Sequence, residues 1–521
     1  MTGAASIGAG LEPARDARPI RAGERIHVLG IAGAGASAAA RLARWAGADA
    51  SGCDPGGPSP YTKALAEDGL PMAWEHDPAH VTAAVPPPER LAVTKALTAI
   101  APDHPELDAA RTRGIPLEPW QQVVADAAAG RLLVGVAGTH GKSTTAGWLV
   151  HVLAEGGLDP TAFVGALMSS GSAPPSTAHR GRPDAPFVVE ADEYAGNFDA
   201  YRPALAVLTS AEWDHPDVFA DESAVLDALE AWVRRQRGDA GRAPVLIANV
   251  GDPGVERIAE RLRDWPGEIA AVAVTETQPQ QVANRVRGLA ERYETQAGPA
   301  RVLLGRITRA ESAGTTVEIT GLDPRRGPVA VRLPTAGAHN VANALGVAAA
   351  SSRLGLGADA IAAGLASFPG VARRLERKGE ARGVVVYDDY GHHPTAIRAT
   401  LSAIRQREPG RRVWAVYEPL TYHRTAALLP AFADVLAEAD AVAIADIWAG
   451  RDMDTTVASA AGLADAVAAR RPDIPVAAPG SVEETGRWLA REVRSGDAVL
   501  VMGGGRSYRI GEVLLEELQR V

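Results

Sequence analysis

Only one of the 521 residues is cysteine, Cys53. An internal disulfide is excluded, and so is a metal site built from cysteines, in agreement with a reducing compartment. Cys53 itself reads as a small buried residue. No apolar run reaches the roughly 20 residues that a bilayer span needs, so no membrane partner is expected. Residues 1–24 lack the continuous apolar centre of a secretion signal and read as a flexible tail, which makes the expected location cytoplasmic. Positive charge is also in deficit. Lys and Arg number 53 against 63 Asp and Glu, a formal charge of −10 that argues against broad affinity for nucleic acid. What remains is ordinary globular composition in a length that fits about three domains.

The most informative stretch runs from Val134 to Thr145, where the strand-like Val134-Gly135-Val136-Ala137 passes into Gly138-Thr139-His140-Gly141-Lys142-Ser143-Thr144. Glycines at such a turn let backbone N–H groups close around phosphate oxygens, and the following helix adds its positive dipole end. Lys142 supplies a point charge and the Ser143 hydroxyl a ligand for Mg²⁺. The general P-loop puts a glycine where this chain has Val136; here Gly138 stands closer, with two residues between it and Gly141.

Upstream, Arg25 to Leu29 reads as a strand leading into Gly33-Ala34-Gly35-Ala36-Ser37, with Asp54 about 20 residues on, the form of a dinucleotide or diphosphate turn. Downstream, short apolar strands alternate with helices, which implies mostly parallel, doubly wound sheets. Val302 to Leu333 alternates instead and predicts antiparallel excursions at a sheet edge. The expected organisation is α/β with three domains. A Rossmann-like N-terminal domain spans 25–129 and a central P-loop doubly wound sheet domain 130–370. A C-terminal Rossmann-like α/β domain spans 371–521.

Ligands in open α/β sheets sit beyond the carboxyl ends of strands, so polar clusters there carry weight. Glu190-Ala191-Asp192-Glu193 and Glu212-Trp213-Asp214-His215 each follow an apolar strand. Carboxylates with an imidazole beside a P-loop are what a further divalent ion needs in phosphoryl transfer. A third cluster, Asp388-Asp389-Tyr390-Gly391-His392-His393, lacks a matching cysteine or third histidine at useful spacing. Its histidines read as hydrogen-bonding groups for substrate or nucleotide, with Arg424 a fixed cation near the same sheet end.

Taken in order, these motifs, with His339-Asn340-Val341-Ala342-Asn343 and Tyr422-His423-Arg424-Thr425, resemble the Mur ligase family over nearly everything from Ile26 to Gly511. The close glycine spacing of the cradle is the family's own form. The resemblance implies that ATP activates the carboxylate of UDP-N-acetylmuramate to an acyl phosphate. An amino acid then attacks, as a step of peptidoglycan precursor synthesis. It implies UDP-sugar contacts from Gly33, Ala34, Gly35, Ser37 and Asp54, and ATP contacts from Gly138 to Thr144, His339, Asn340, Asn343 and Asp389. It further implies Mg²⁺ on Ser143, Glu190 and His215, with Lys142, Glu190 and His215 central to catalysis, and an amino acid held by His392, His393 and Arg424. Monomer and homodimer are both compatible with it.

L-alanine is the expected amino acid. Thr421 stands where alanine-adding members carry a basic residue, and Asp192-Glu193-Tyr194 leans towards members that attach a preformed tripeptide, the alternative. Of other classes, an NAD(P)-dependent dehydrogenase built on Gly33 to Asp54 leaves the cradle, its acids and the third domain without purpose; a P-loop nucleotide switch is the other alternative, marked by nucleotide hydrolysis indifferent to a UDP-sugar and an amino acid.

Overall fold

Residues 7–170, 173–298, 300–323, 325–450, 452 and 454–520 are described by a computed structural model. They form three sheets. The first contains β1 (Arg25–Leu29), β2 (Asp49–Cys53), β3 (Met72–Ala73), β4 (Arg90–Val93) and β5 (Leu117–Pro119), all parallel in the order β3-β2-β1-β4-β5. Ile26 and Val28 face a core shared with the helix Ala34–Trp45, while His27, Leu29 and Cys53 face the helices Ala79–Thr82 and Pro105–Thr112.

The segment before Arg25, expected as a loose tail, is tied down from Ile7 onward. Arg15 bridges Glu118 (2.9 Å) and Asp126 (2.8 Å), and Arg18 pairs with Glu24 at 2.6 Å. These carboxylates are buried because Arg90, 2% exposed, lies among them, 2.6 Å from Glu118 and Asp126 and 3.1 Å from Glu24. One arginine leaves three buried acids short of positive charge, and the two arginines of the leading segment supply the rest.

The second sheet has ten strands: β6 (Leu133–Ala137), β7 (Thr161–Ser170), β8 (Ala173–His179), β9 (Phe187–Ala191), β10 (Leu205–Leu208), β11 (Val245–Asn249), β12 (Glu268–Thr275), β13 (Arg301–Glu311), β14 (Gly314–Thr320) and β15 (Val329–Leu333). Their order is β15-β14-β13-β12-β11-β10-β6-β9-β7-β8. The antiparallel β13-β14-β15 edge is the alternating stretch expected from the sequence. The β7–β8 hairpin was not anticipated, since Gly165 and Pro174-Pro175 disguise its pattern. Proline is tolerated there because β8 is an edge strand. The hairpin reaches the first unit, where Thr177 donates to the Ala34 carbonyl at 2.9 Å and Arg41 to Ser176 at 2.6 Å.

The third sheet contains β16 (Glu376–Ala381), β17 (Val384–Asp389), β18 (Arg412–Glu418), β19 (Ala441–Ala445), β20 (Val476–Gly480) and β21 (Asp497–Gly503). It runs β16-β17-β21-β18-β19-β20, with only β16 antiparallel to its neighbour. No helix among the described residues is long and apolar enough to cross a membrane.

Removing the central cation of the first unit should be costly. Arg90→Met leaves buried carboxylates uncompensated, and a loss of about 3–5 kcal/mol is expected in urea unfolding of that unit. A loss below about 1 kcal/mol would show that Arg15 and Arg18 alone hold the three acids.

Candidate active site

β6 lies between β9 and β10, so one strand end carries the glycine turn and its two neighbours carry the acidic clusters. The turn is held from behind. Gly138 (φ 129°) packs where a Cβ would run into Thr209 and the backbone of Ser210, and Gly141 (φ 80°) opens the helix Lys142–Glu155 from a left-handed conformation. The Thr139 and His140 amides donate to Ser210 O and Oγ at 3.1 and 2.8 Å. The amides from Gly141 to Thr144, at the start of the helix, are therefore the ones set to meet a phosphate.

Around this turn the charges are paired. Lys142 Nζ lies 2.8 Å from Glu193 and 3.4 Å from Asp192. Burial opposes its charge, but Glu193 and Asp192 outweigh burial and raise its pKa. Burial likewise drives Asp192 upward, yet Lys142 and His215 bring it below the ordinary carboxylate range. Ser143 Oγ donates to Glu190 Oε1 at 2.9 Å and the Gly165 amide to Oε2 at 2.5 Å; even so, burial leaves Glu190 raised. Asp192, Glu193 and His215 bring ligand atoms within 4.8 Å of one another. His215 adopts a left-handed backbone (φ 57°) and meets Tyr194 edge-on at 4.7 Å.

The third unit contributes the opposite wall. Arg374 reaches across to Ser143 Oγ at 3.0 Å and stacks over Tyr390. Arg424, 4% exposed, is ion-paired with Asp214. Glu212 sits 3.3 Å from His140 and 3.8 Å from His393. Burial would raise Glu212, but the hydrogen bond and charge of His140 prevail and hold it at about 2. Burial pushes the imidazoles of His392 and His393 down to about 3 and about 4. Asp389 accepts from the amides of Leu375 and Gly391, both at 2.7 Å.

Apart from the buried Glu193, these charged and polar groups line one cavity of about 1040 Å³. Thr139, His140, Gly141, Lys142, Ser143, Thr144, Glu190, His215, His339, Asn340, Asn343, Asp389, His392, His393 and Arg424 all reach it, with Ala34 and Gly35 at its first-unit end. Four expected residues are not brought to its wall. Gly138 braces the turn, and Gly33 is an exposed residue of the first unit's glycine loop. Ser37 is buried, donating to the Ala34 carbonyl at 3.0 Å. Asp54 accepts from the amides of Ala32 (3.1 Å) and Gly56 (2.8 Å), so its carboxylate is spent on the shape of the glycine loop. Residues not anticipated include Arg374, Asn197, Tyr61 and Trp120. The Arg373-Arg374 pair after Gly370 was a readable signal, whereas Tyr61, in a Gly/Pro-rich loop, gave none.

A P-loop sheet flanked by two Rossmann-like units, all three walling one acid-rich cavity, defines a three-domain nucleotide-using enzyme. Residues 25–131 match the Mur ligase family catalytic domain, 136–351 the Mur ligase middle domain, and 373–505 the Mur ligase glutamate ligase domain. The chain belongs to the Mur ligase family. It is 35% identical to a UDP-N-acetylmuramate--L-alanine ligase of Roseiflexus sp. (strain RS-1), over 95% of this chain and 99% of that one. It is 36% identical to the protein of that name from Frankia casuarinae, over 95% and 98%. Among solved structures, the fold resembles UDP-N-acetylmuramate-alanine ligase MurC from Thermotoga maritima (TM-score 0.72, 21% identity, 95% and 99% covered). It also resembles a murein peptide ligase from Psychrobacter arcticus (TM-score 0.67, 22% identity, 96% and 99% covered).

The histidine pair makes stability depend on pH. Both imidazoles are depressed in the folded chain and protonate near 6.5 once unfolded, so stability present at neutral pH is lost as pH falls from about 6.5 towards 4. Each histidine contributes a slope of at most about 1.4 kcal/mol per pH unit. His393→Asn, which keeps a cap acceptor for the Thr395 amide, should flatten the urea-midpoint profile over that window. An unchanged profile would remove His393 from this account.

Proposed function

We propose that this chain joins L-alanine to the carboxylate of UDP-N-acetylmuramate, using ATP and passing through an acyl phosphate. The observation carrying this reading is that the phosphate cradle and the cation-bearing face of the third unit wall the same cavity. The relatives' names support the choice of alanine. Both substrates are intracellular metabolites, and we assign the reaction to the cytoplasm.

In this reading the carboxylate oxygen attacks the γ-phosphorus and ADP leaves; the alanine amine then attacks the acyl carbon and phosphate leaves. Lys142 turns from Glu193 to the phosphates, and the amides from Gly141 to Thr144 cradle them with the helix dipole behind. Asn340, Asn343 and His339 meet the nucleoside side, Asp389 closes over it from the third unit, and Ala34 and Gly35 approach the UDP-sugar.

The donor chemistry fits Mg²⁺. Ser143 Oγ and Glu190 Oε1 are hard oxygen donors side by side, and Glu193 Oε1 is buried without a hydrogen-bond partner among the described residues. Ser143 and Glu190 would hold one ion, and His215 with its acidic neighbours would help hold a second. When bound, Mg²⁺ offsets the negative charge that opposes a carboxylate approaching a triphosphate.

Phosphate release should require UDP-N-acetylmuramate, ATP, Mg²⁺ and an amino acid together. In a panel of amino acids and peptides L-alanine should be the best acceptor; a tripeptide in that position would move the chain to the tripeptide-attaching branch. ATP hydrolysis indifferent to both other substrates would overturn the ligase reading. Lys142→Ala should lower ligation at least about 100-fold while UDP-sugar binding, measured by calorimetry, stays near wild type.

For the amino acid we choose Arg424, through a charge-assisted contact with its carboxylate. Arg424→Ala should raise the KM for alanine at least about 10-fold more than that for ATP. An equal rise in both would assign Arg424 to the interdomain ion pair with Asp214 alone.

A further inference from the structure

One cluster of chemistry-bearing side chains lies outside the cavity, in the core of the first unit. His27 from β1, Cys53 from β2, His80 from the helix Ala79–Thr82 and Glu106 from the helix Pro105–Thr112 turn towards one another, every ligand atom within 4.8 Å of the others. His27 Nε2 lies 3.4 Å from Cys53 Sγ and 3.5 Å from Glu106 Oε2. Cys53 Sγ lies 3.3 Å from Glu106 Oε1, and so does His80 Nδ1. Zinc bonds of 2.0–2.3 Å in a tetrahedron put neighbouring ligand atoms about 3.3–3.8 Å apart, and the four separations fall in or close to that range.

The surroundings are those of a closed site. Leu29, Val81, Leu91, Val93 and Leu107 pack around it, and Cys53 and Glu106 are fully buried. A carboxylate in such a shell is costly unless compensated. A thiolate and a carboxylate carry together the two negative charges that a divalent cation cancels, with both histidines neutral. His27 is oriented as metal-binding histidines are, its other nitrogen 2.9 Å from Ser51 Oγ. His80 is the partly exposed member, its side chain 21% exposed, and gives a path of entry. His76 stands at the same mouth, 3.2 Å from Cys53 Sγ.

We propose that the first unit holds a structural divalent transition-metal ion, zinc by ligand preference, between His27, Cys53, His80 and Glu106. The sequence reading excluded a cysteine-built site; a single thiolate completed by imidazoles and a carboxylate escapes that exclusion. The ion clamps two strands to the helices over them, just before the glycine loop that begins at Gly30. It is independent of the proposed activity.

The test uses the full chain and cobalt and zinc as probes. After gel filtration the wild type should retain about one zinc per chain. Reconstitution with Co²⁺ should give intense visible bands of tetrahedral cobalt together with a thiolate charge-transfer band. Cys53 is the only cysteine, so that band cannot arise from Mg²⁺-type ligands in the cavity. Cys53→Ser should lose the band and bind zinc at least about 100-fold more weakly, and Ser51→Ala about 10-fold. A strong chelator should lower the thermal midpoint of the wild type more than that of Cys53→Ser. A wild-type chain that takes up no zinc or cobalt, or cobalt bound without the thiolate band, overturns the proposal; neither readout depends on a variant folding.

Discussion

The ammonium of Lys142, enclosed between Glu193 and Asp192, is the constraint on which the site depends. A charge withdrawn from water must be met by an opposite one, and the sheet order arranges this by setting β9 directly beside β6. In the proposed reaction the acids that stabilise the lysine become donors for divalent ions once a polyphosphate draws the lysine away. One set of groups therefore keeps the open cavity electrostatically balanced and prepares it for its anionic substrate. β10, on the other flank, brings Glu212, Asp214 and His215 to the same rim.

The cradle and its acids were legible because each lies within a few residues of a strand end, so local order in sequence equals local order in space. Three α/β units followed from the same rule and the antiparallel edge at β13 to β15 from its alternation, whereas the meeting of the His392, His393 and Arg424 region with the cradle was implied only by the family resemblance. Where motif position and placement in the fold part, the side chains serve local structure. Ser37 and Asp54 fit a fingerprint by position, but the fold turns their side chains inward to brace the loop. Nothing in the composition of residues 7–24 reveals that Arg15 balances Glu118 and Asp126, 103 and 111 residues on, or that Arg18 turns to Glu24 six residues on.

The His27, Cys53, His80 and Glu106 cluster shows the limit of spacing arguments most clearly. Its members are separated by 26, 27 and 26 residues and come from two strands and two helices. No short motif joins them. What joins them is the pleat: His27 and Cys53 stand on the same face of adjacent parallel strands, two register positions apart, and the helices packed on that face deliver the other two.

The third unit meets the central one through Arg374 on Ser143, Arg424 on Asp214 and His393 beside Glu212. In the proposed roles Ser143 serves the metal and Arg424 the incoming carboxylate, so ligands compete with the unit for its own points of attachment. Binding exchanges one set of charge pairs for another and leaves their number little changed. On those proposed roles, admitting substrates requires the third unit to give up these attachments to the cradle, and the charges that the substrates bring take their place.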